Sequence, residues 1–167
     1  METYNLNEVK DLARLVQEMA EGTTLGDLKG LTKPELEAIY SVGYNMYRTG
    51  RTDDAEKVFK VLALLEPMSA KYLMALGAVR QVKRDFPGAV KAYALASFYD
   101  IEDPKPQYHA AECFLAMGDR ENAGKALDTL DLCANLKTER GRTYAAKAKL
   151  LRQKAGLEET AEQPKEG

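Results

Sequence analysis

One histidine, His109, and two cysteines, Cys113 and Cys133, are the residues of this 167-residue chain best suited to covalent or metal chemistry. His109 and Cys113 are four residues apart, so a helix would put them on one face. Such a pair is only the start of a metal site, because zinc needs three or four protein ligands and no others lie near in sequence. A lone histidine between Tyr108 and Ala110 is more often packed or hydrogen-bonded than catalytic. Asp53-Asp54 and the group Asp100, Glu102, Asp103 sit where helices start. Carboxylates there complement the helix dipole, which explains them better than a paired general acid and base. No phosphate-cradling glycine loop, dinucleotide fingerprint or nucleophile elbow is present. The expectation is no catalytic residue, no metal and no cofactor, and hence a protein that is not an enzyme.

Binding chemistry is more promising. Tyr40, Tyr44 and Tyr47 step by four and three residues, so on a helix they make one stripe. Tyrosine offers a large contact area at low entropy cost, with a hydroxyl for a partner's backbone. Some of these rings could instead pack against neighbouring helices or under the N-terminal segment.

The elements that position them are set by a 34-residue repeat. Gly43, Gly77 and Ala111 fall in register, as do Ala55, Ala89 and Ala123, then Phe59, Tyr93 and Leu127, then Leu62, Ala96 and Leu130. A small residue, an alanine twelve on and a bulky residue four later is the tetratricopeptide (TPR) spacing. Two antiparallel helices approach closely where glycine or alanine removes bulk, and the bulky residue fills the space beside that contact. The fold class is all-α: three tandem TPR helix pairs, near 36–69, 70–103 and 104–135, with flanking N-terminal and C-terminal helices. No segment alternates with period two.

In chain order, residues 5–21 read as an amphipathic helix with Leu6, Val9, Leu12, Val16 and Met19 on one face. That stripe is expected to mediate a homodimer or to dock on the first repeat. Residues 23–30 read as a linker whose apolar residues should dock. Thr32, Thr52, Ser69 and Asp85 read as helix caps, with Pro34 and Pro87 in first turns. The third pair begins at Asp103-Pro104 and turns at Gly118-Asp119. A last helix over 138–155, with Tyr144, Ala148 and Leu151 on one face, is the polar-backed cap that a helical stack needs. Residues 1–156 form one domain, and the acidic tail 157–167 is expected to be disordered.

In a TPR stack the first helices of successive units line the concave face. Advancing by 34 from the tyrosines gives Met74, Ala78 and Gln81, then Tyr108, Glu112 and Leu115. That set is apolar and aromatic with some polar relief, a surface suited to an apolar peptide. A hydrophobic content of 45% with 30% charged residues is ordinary for a globular protein. A net charge of −2 gives no global reason to bind nucleic acid or an anionic membrane. No apolar run is long enough to span a membrane, and no secretory leader is evident. Cysteines without CxxC spacing suit a reducing compartment.

The strings IYSVGYNMYRTGRTDDAEKVF, YLMALGAVRQV and YHAAECFLAMGD, preceded by EGTTLGDLKGLT, resemble the class II chaperones of bacterial type III secretion systems. The resemblance spans roughly residues 20–135. It implies binding, in the bacterial cytoplasm, of two hydrophobic translocator proteins that later form a pore in a host membrane. An extended translocator segment would dock in the concave groove with its apolar anchors in pockets, and the groove would map to Tyr40, Tyr44, Tyr47, Met74, Ala78 and Tyr108, the candidate peptide-binding set, with Leu73 and Leu76 behind it in the core. The resemblance further implies no nucleotide use, dimerisation through N-terminal helices in many members, and contact with a transcriptional regulator in some. The competing reading is a TPR scaffold or cochaperone that clamps another protein's acidic tail. That function needs lysine, arginine and asparagine in the groove, where Tyr40 and Tyr44 stand; only Lys71 and Lys105 lie near its rim.

Overall fold

A computed structural model describes Gln17, Glu18 and residues 21–157. Every regular element among the described residues is helical: α1 (Leu25–Leu28), α2 (Lys33–Arg48), α3 (Thr52–Leu65), α4 (Ala70–Val82), α5 (Phe86–Tyr99), α6 (Lys105–Ala116), α7 (Arg120–Cys133) and α8 (Glu139–Ala155). Gln17 and Glu18 are helical; the rest of the expected helix over 5–21 lies outside the described residues apart from Glu21. The tail from 158 onward also lies outside them.

Helices α2 to α7 pack in chain order, each against the next, and α8 closes the stack against α6 and α7. The repeat residues form the seams. Ala55, Ala89, Ala123 and Ala111 are completely buried, and Phe59, Tyr93 and Leu127 are nearly so. A Cβ on Gly43 would sit 2.9 Å from Phe59 Cε1, and one on Gly77 would sit 2.5 Å from Tyr93 Cε1. Glycine is therefore required where an aromatic ring crosses the facing helix. In the third unit the seam uses Ala111 with the smaller Leu127, so volume added on one helix is removed from the other.

The helix boundaries follow from local chemistry. Thr32 N donates to Glu35 Oε2 (2.8 Å), and Pro34 sits in the first turn of α2. Asp85 accepts from Gly88 N (3.0 Å), Asp119 from Asn122 N (3.0 Å), and Thr138 from Gly141 N (3.0 Å). Each of these satisfies an N–H that a helix start leaves without a partner. Gly156, in left-handed conformation, ends α8. Thr52 does not cap α3. It is the first helical residue, the cap position is Arg51, and the Arg51 guanidinium reaches Asp54 Oδ2 at 2.8 Å.

The stretch 23–30 is not an irregular linker either. Thr24 and Asp27 cap the short α1 reciprocally. The Thr24 hydroxyl donates to Glu66 Oε1 (2.8 Å), and Gly26 is buried against the end of α3. Docking uses this polar and backbone contact, while Leu25 remains exposed.

Candidate functional site

The inner helices α2 and α4 and the start of α6 enclose a cavity of about 390 Å³. Tyr40, Tyr44 and Tyr47 reach it from α2 because their spacing places them on one helical face, and Met74 and Ala78 reach it from α4. Phe59 closes the floor from α3. Tyr40 stacks on Tyr44, with ring centroids 6.2 Å apart and planes 10° from parallel, and its other neighbours are Phe59 (5.6 Å) and Tyr72 (5.9 Å). Tyr44 in turn lies 6.5 Å from Tyr47. Tyr40 and Tyr47 are half-buried, and Tyr44 is exposed. The rings thus form a graded wall, anchored at the base and open at the lip. Burial pushes the Tyr40 hydroxyl above its ordinary range, so it stays a neutral donor.

Lys71 caps one end of the wall, its Nζ 4.1 Å from the centroid of Tyr40 and paired with Glu37. Asp100, Asp103, Lys105 and Arg140 also stand at the rim, with Arg140 3.6 Å from Asp103. Leu73 and Leu76 are buried.

Tyr47, Met74 and Ala78 also border a second cavity of about 640 Å³, so the two are compartments of one trough. The second compartment carries a hydrogen-bonded network. Tyr93 donates to Gln81 Oε1 (2.8 Å), Gln81 Nε2 donates to Glu112 Oε2 (3.2 Å), and His109 Nδ1 lies 2.9 Å from the same oxygen. Burial acts to raise the Glu112 pKa, but hydrogen bonds from His109 and Gln81 outweigh it and the carboxylate is held below its ordinary value. His109 is therefore part of a hydrogen-bonded network. Cys113 is fully buried, and burial pushes its thiol up to about 12. Among the described residues, no three of His, Cys, Asp and Glu gather as a metal site would require.

Five of the six candidate residues thus meet around the first compartment, while Tyr108 does not line it. Helix α8 flanks that ring, which stays half-buried: Tyr144 meets Tyr108 edge-on at 5.5 Å, and Lys147 lies over both. Advancing by 34 residues finds the equivalent position but not what the closing helix does to it. Phe59, Asp100, Asp103 and Arg140 were missed for a related reason. They come from an outer helix, a loop and the cap, which 34-residue steps along the inner helices do not reach.

The Tetratricopeptide repeat family model matches residues 36–67 and 70–103. Low calcium response locus protein H of Yersinia pestis is 34% identical over 106 residues, 64% of this chain and 63% of that protein. Chaperone protein SicA of Salmonella dublin is 31% identical over 147 residues, 88% of this chain and 85% of SicA. Among solved structures, the Yersinia enterocolitica type III secretion translocator chaperone SycD superposes with a TM-score of 0.74 at 27% identity, covering 80% of this chain and 98% of SycD. PcrH of Pseudomonas aeruginosa, in complex with the chaperone binding region of PopD, gives 0.71 at 32% identity, covering 76% and 95%. With this repeat, trough and likeness over most of its length, the chain belongs to the family of tetratricopeptide-repeat chaperones of type III secretion translocators.

Proposed function

We propose that this protein is a stoichiometric chaperone of hydrophobic translocator proteins in the bacterial cytoplasm, holding an extended apolar segment of each in the trough. The observation that carries this reading is the aromatic wall of Tyr40, Tyr44 and Tyr47 facing Met74 and Ala78 across an open cavity. Spaced apolar anchors of an extended chain fit such compartments, and the tyrosine hydroxyls and the Gln81–Glu112 network offer partners to its backbone. The relatives support the same use. PcrH is solved with the chaperone binding regions of both PopD and PopB, and SycD with a peptide of the translocator YopD. Membrane-inserting segments aggregate in water, so covering them before export is a task of binding, without turnover.

A carboxylate clamp is disfavoured by the rim itself. Lys71 is already paired with Glu37 and lies over Tyr40, which leaves Lys105 as the remaining lysine of the pair. Self-association, and contact with a transcriptional regulator, belong to this reading as further proposals. Co-expression with the hydrophobic translocators of its own secretion locus tests the function. Each translocator should become soluble and co-purify at a fixed ratio. Translocators that stay insoluble with this chain present would refute the reading.

A further inference from the structure

On the outer helix of each repeat the same three positions recur at 34-residue steps. They are Lys57, Val61 and Leu64 on α3, Lys91, Leu95 and Phe98 on α5, and Lys125, Thr129 and Leu132 on α7. Positions i, i+4 and i+7 share one helix face, and all nine of these residues are exposed. Leu64, Phe98 and Leu132 are 67%, 73% and 89% accessible to solvent. The core does not need them, because the opposite faces of the same helices supply Phe59, Tyr93 and Leu127. Large apolar residues repeated in register on an exposed face mark an interaction surface. The lysines form a parallel basic row two helical turns away. Its central member, Lys91, has no acidic partner among the described residues, whereas Lys57 and Lys125 pair with Asp54 and Glu121.

We propose that this outer face holds an amphipathic helix of the chaperoned protein, apolar on one side and acidic along the edge that meets the lysine row. The proposal rests on the chaperone reading above. A cavity of about 390 Å³ takes a few anchor side chains and cannot cover a membrane-inserting segment of about 20 residues. Successive outer helices are two packing steps of about 8–10 Å apart, so the row from Leu64 to Leu132 extends at most about 40 Å. A helix of about 20 residues is about 30 Å long and fits that row. An anionic membrane fits it less well, because polybasic lipid sites gather about 4–8 cations and this row has three lysines.

The test uses a fluorescent helical peptide of about 22 residues, leucine on one face and glutamate along one flank, and the chaperone binding region of PopD as a probe of the trough. The wild type should bind the helical peptide saturably. The triple variant Leu64→Gln, Phe98→Gln, Leu132→Gln should weaken it at least about tenfold while holding the PopD region as before. Lys91→Glu, which leaves the apolar row intact, should weaken the glutamate peptide and favour a lysine-flanked version. Tyr40→Ala with Tyr44→Ala should do the reverse of the triple variant. If the wild type ignores the PopD region but binds the helical peptide as described, the trough reading fails and the outer-face proposal stands. Undiminished binding of the helical peptide by the triple variant overturns the proposal, as does a Lys91→Glu variant blind to peptide charge. A triple variant that only converts dimer to monomer in sedimentation assigns the face to a second copy. One that only loses phosphatidylserine vesicles assigns it to a membrane. Either result overturns the helix proposal.

Discussion

Gly50, Arg84 and Gly118 occupy the same turn of the three repeats, and all three are left-handed, with φ of 79°, 62° and 78°. Two units use glycine there; the middle one uses an arginine that borders the second compartment. A residue with a Cβ pays roughly 1–2 kcal/mol in that conformation. Arg84→Gly should therefore raise the melting temperature by about 2–4 °C for each kcal/mol regained, read by circular dichroism; an unchanged or lower value would show that the arginine side chain offsets its strain. Glu56 makes a second residue-scale case. Its buried carboxylate meets Lys60 (2.7 Å), Lys83 (2.6 Å) and Arg80 (3.4 Å). Hydrogen bonds from Lys60 and Lys83 outweigh burial and hold its pKa at about 2, below the ordinary 4.5. A carboxylate depressed on folding stabilises the fold above its unfolded value, and that stabilisation is lost as pH falls through the folded one. Glu56→Gln should thus lower the melting temperature at pH 7, with the deficit shrinking between about pH 4.5 and 2. A deficit constant over that range would show that the charge contributes nothing. Of its partners only Lys60, four residues on along α3, was visible in the sequence; Arg80 and Lys83 come from the end of α4.

At the scale of elements, glycine, proline and capping residues placed most boundaries, because each acts through the next three or four residues. The failures are contacts that local rules do not see. Helix α1 follows from the local Thr24–Asp27 box, but its docking does not: Glu66, 42 residues on, accepts the Thr24 hydroxyl. Tyr108 lies outside the first compartment, flanked by Tyr144 and Lys147 of α8. That closing helix is held by Arg152, buried on α8, which reaches Asp128 and Asp131 on α7 at 2.8 Å each. Both aspartates are partly exposed and can rehydrate. Arg152→Ala should therefore cost about 1.5–3 kcal/mol, the range for hydrogen bonds to charged groups, and no more. Hydrogen exchange should accelerate in α8 while α2 to α5 stay protected. Uniform acceleration would mean that the cap and the repeats unfold as one unit.

The whole molecule is a stack of helix pairs in which one register sets the architecture and two surfaces follow from it. Its inner face was legible because three tyrosines at helical spacing are costly to expose without a use. The enclosing rim was not, because Asp100, Asp103 and Arg140 converge only after the third repeat and the cap have folded. In the proposed function, apolar contact in the trough, not charge at its rim, holds the translocator. Titration calorimetry with the bound translocator segment separates the two most directly, comparing Tyr40→Ala/Tyr44→Ala with Lys71→Ala/Lys105→Ala. Truncating a large side chain at a binding hot spot costs about 2 kcal/mol or more, roughly thirtyfold in affinity. The tyrosine pair should lose at least that much with helicity and melting nearly intact, and the lysine pair should change affinity only a few-fold. Loss of binding in the lysine pair with retention in the tyrosine pair would contradict the account, and so would a tyrosine pair that simply unfolds.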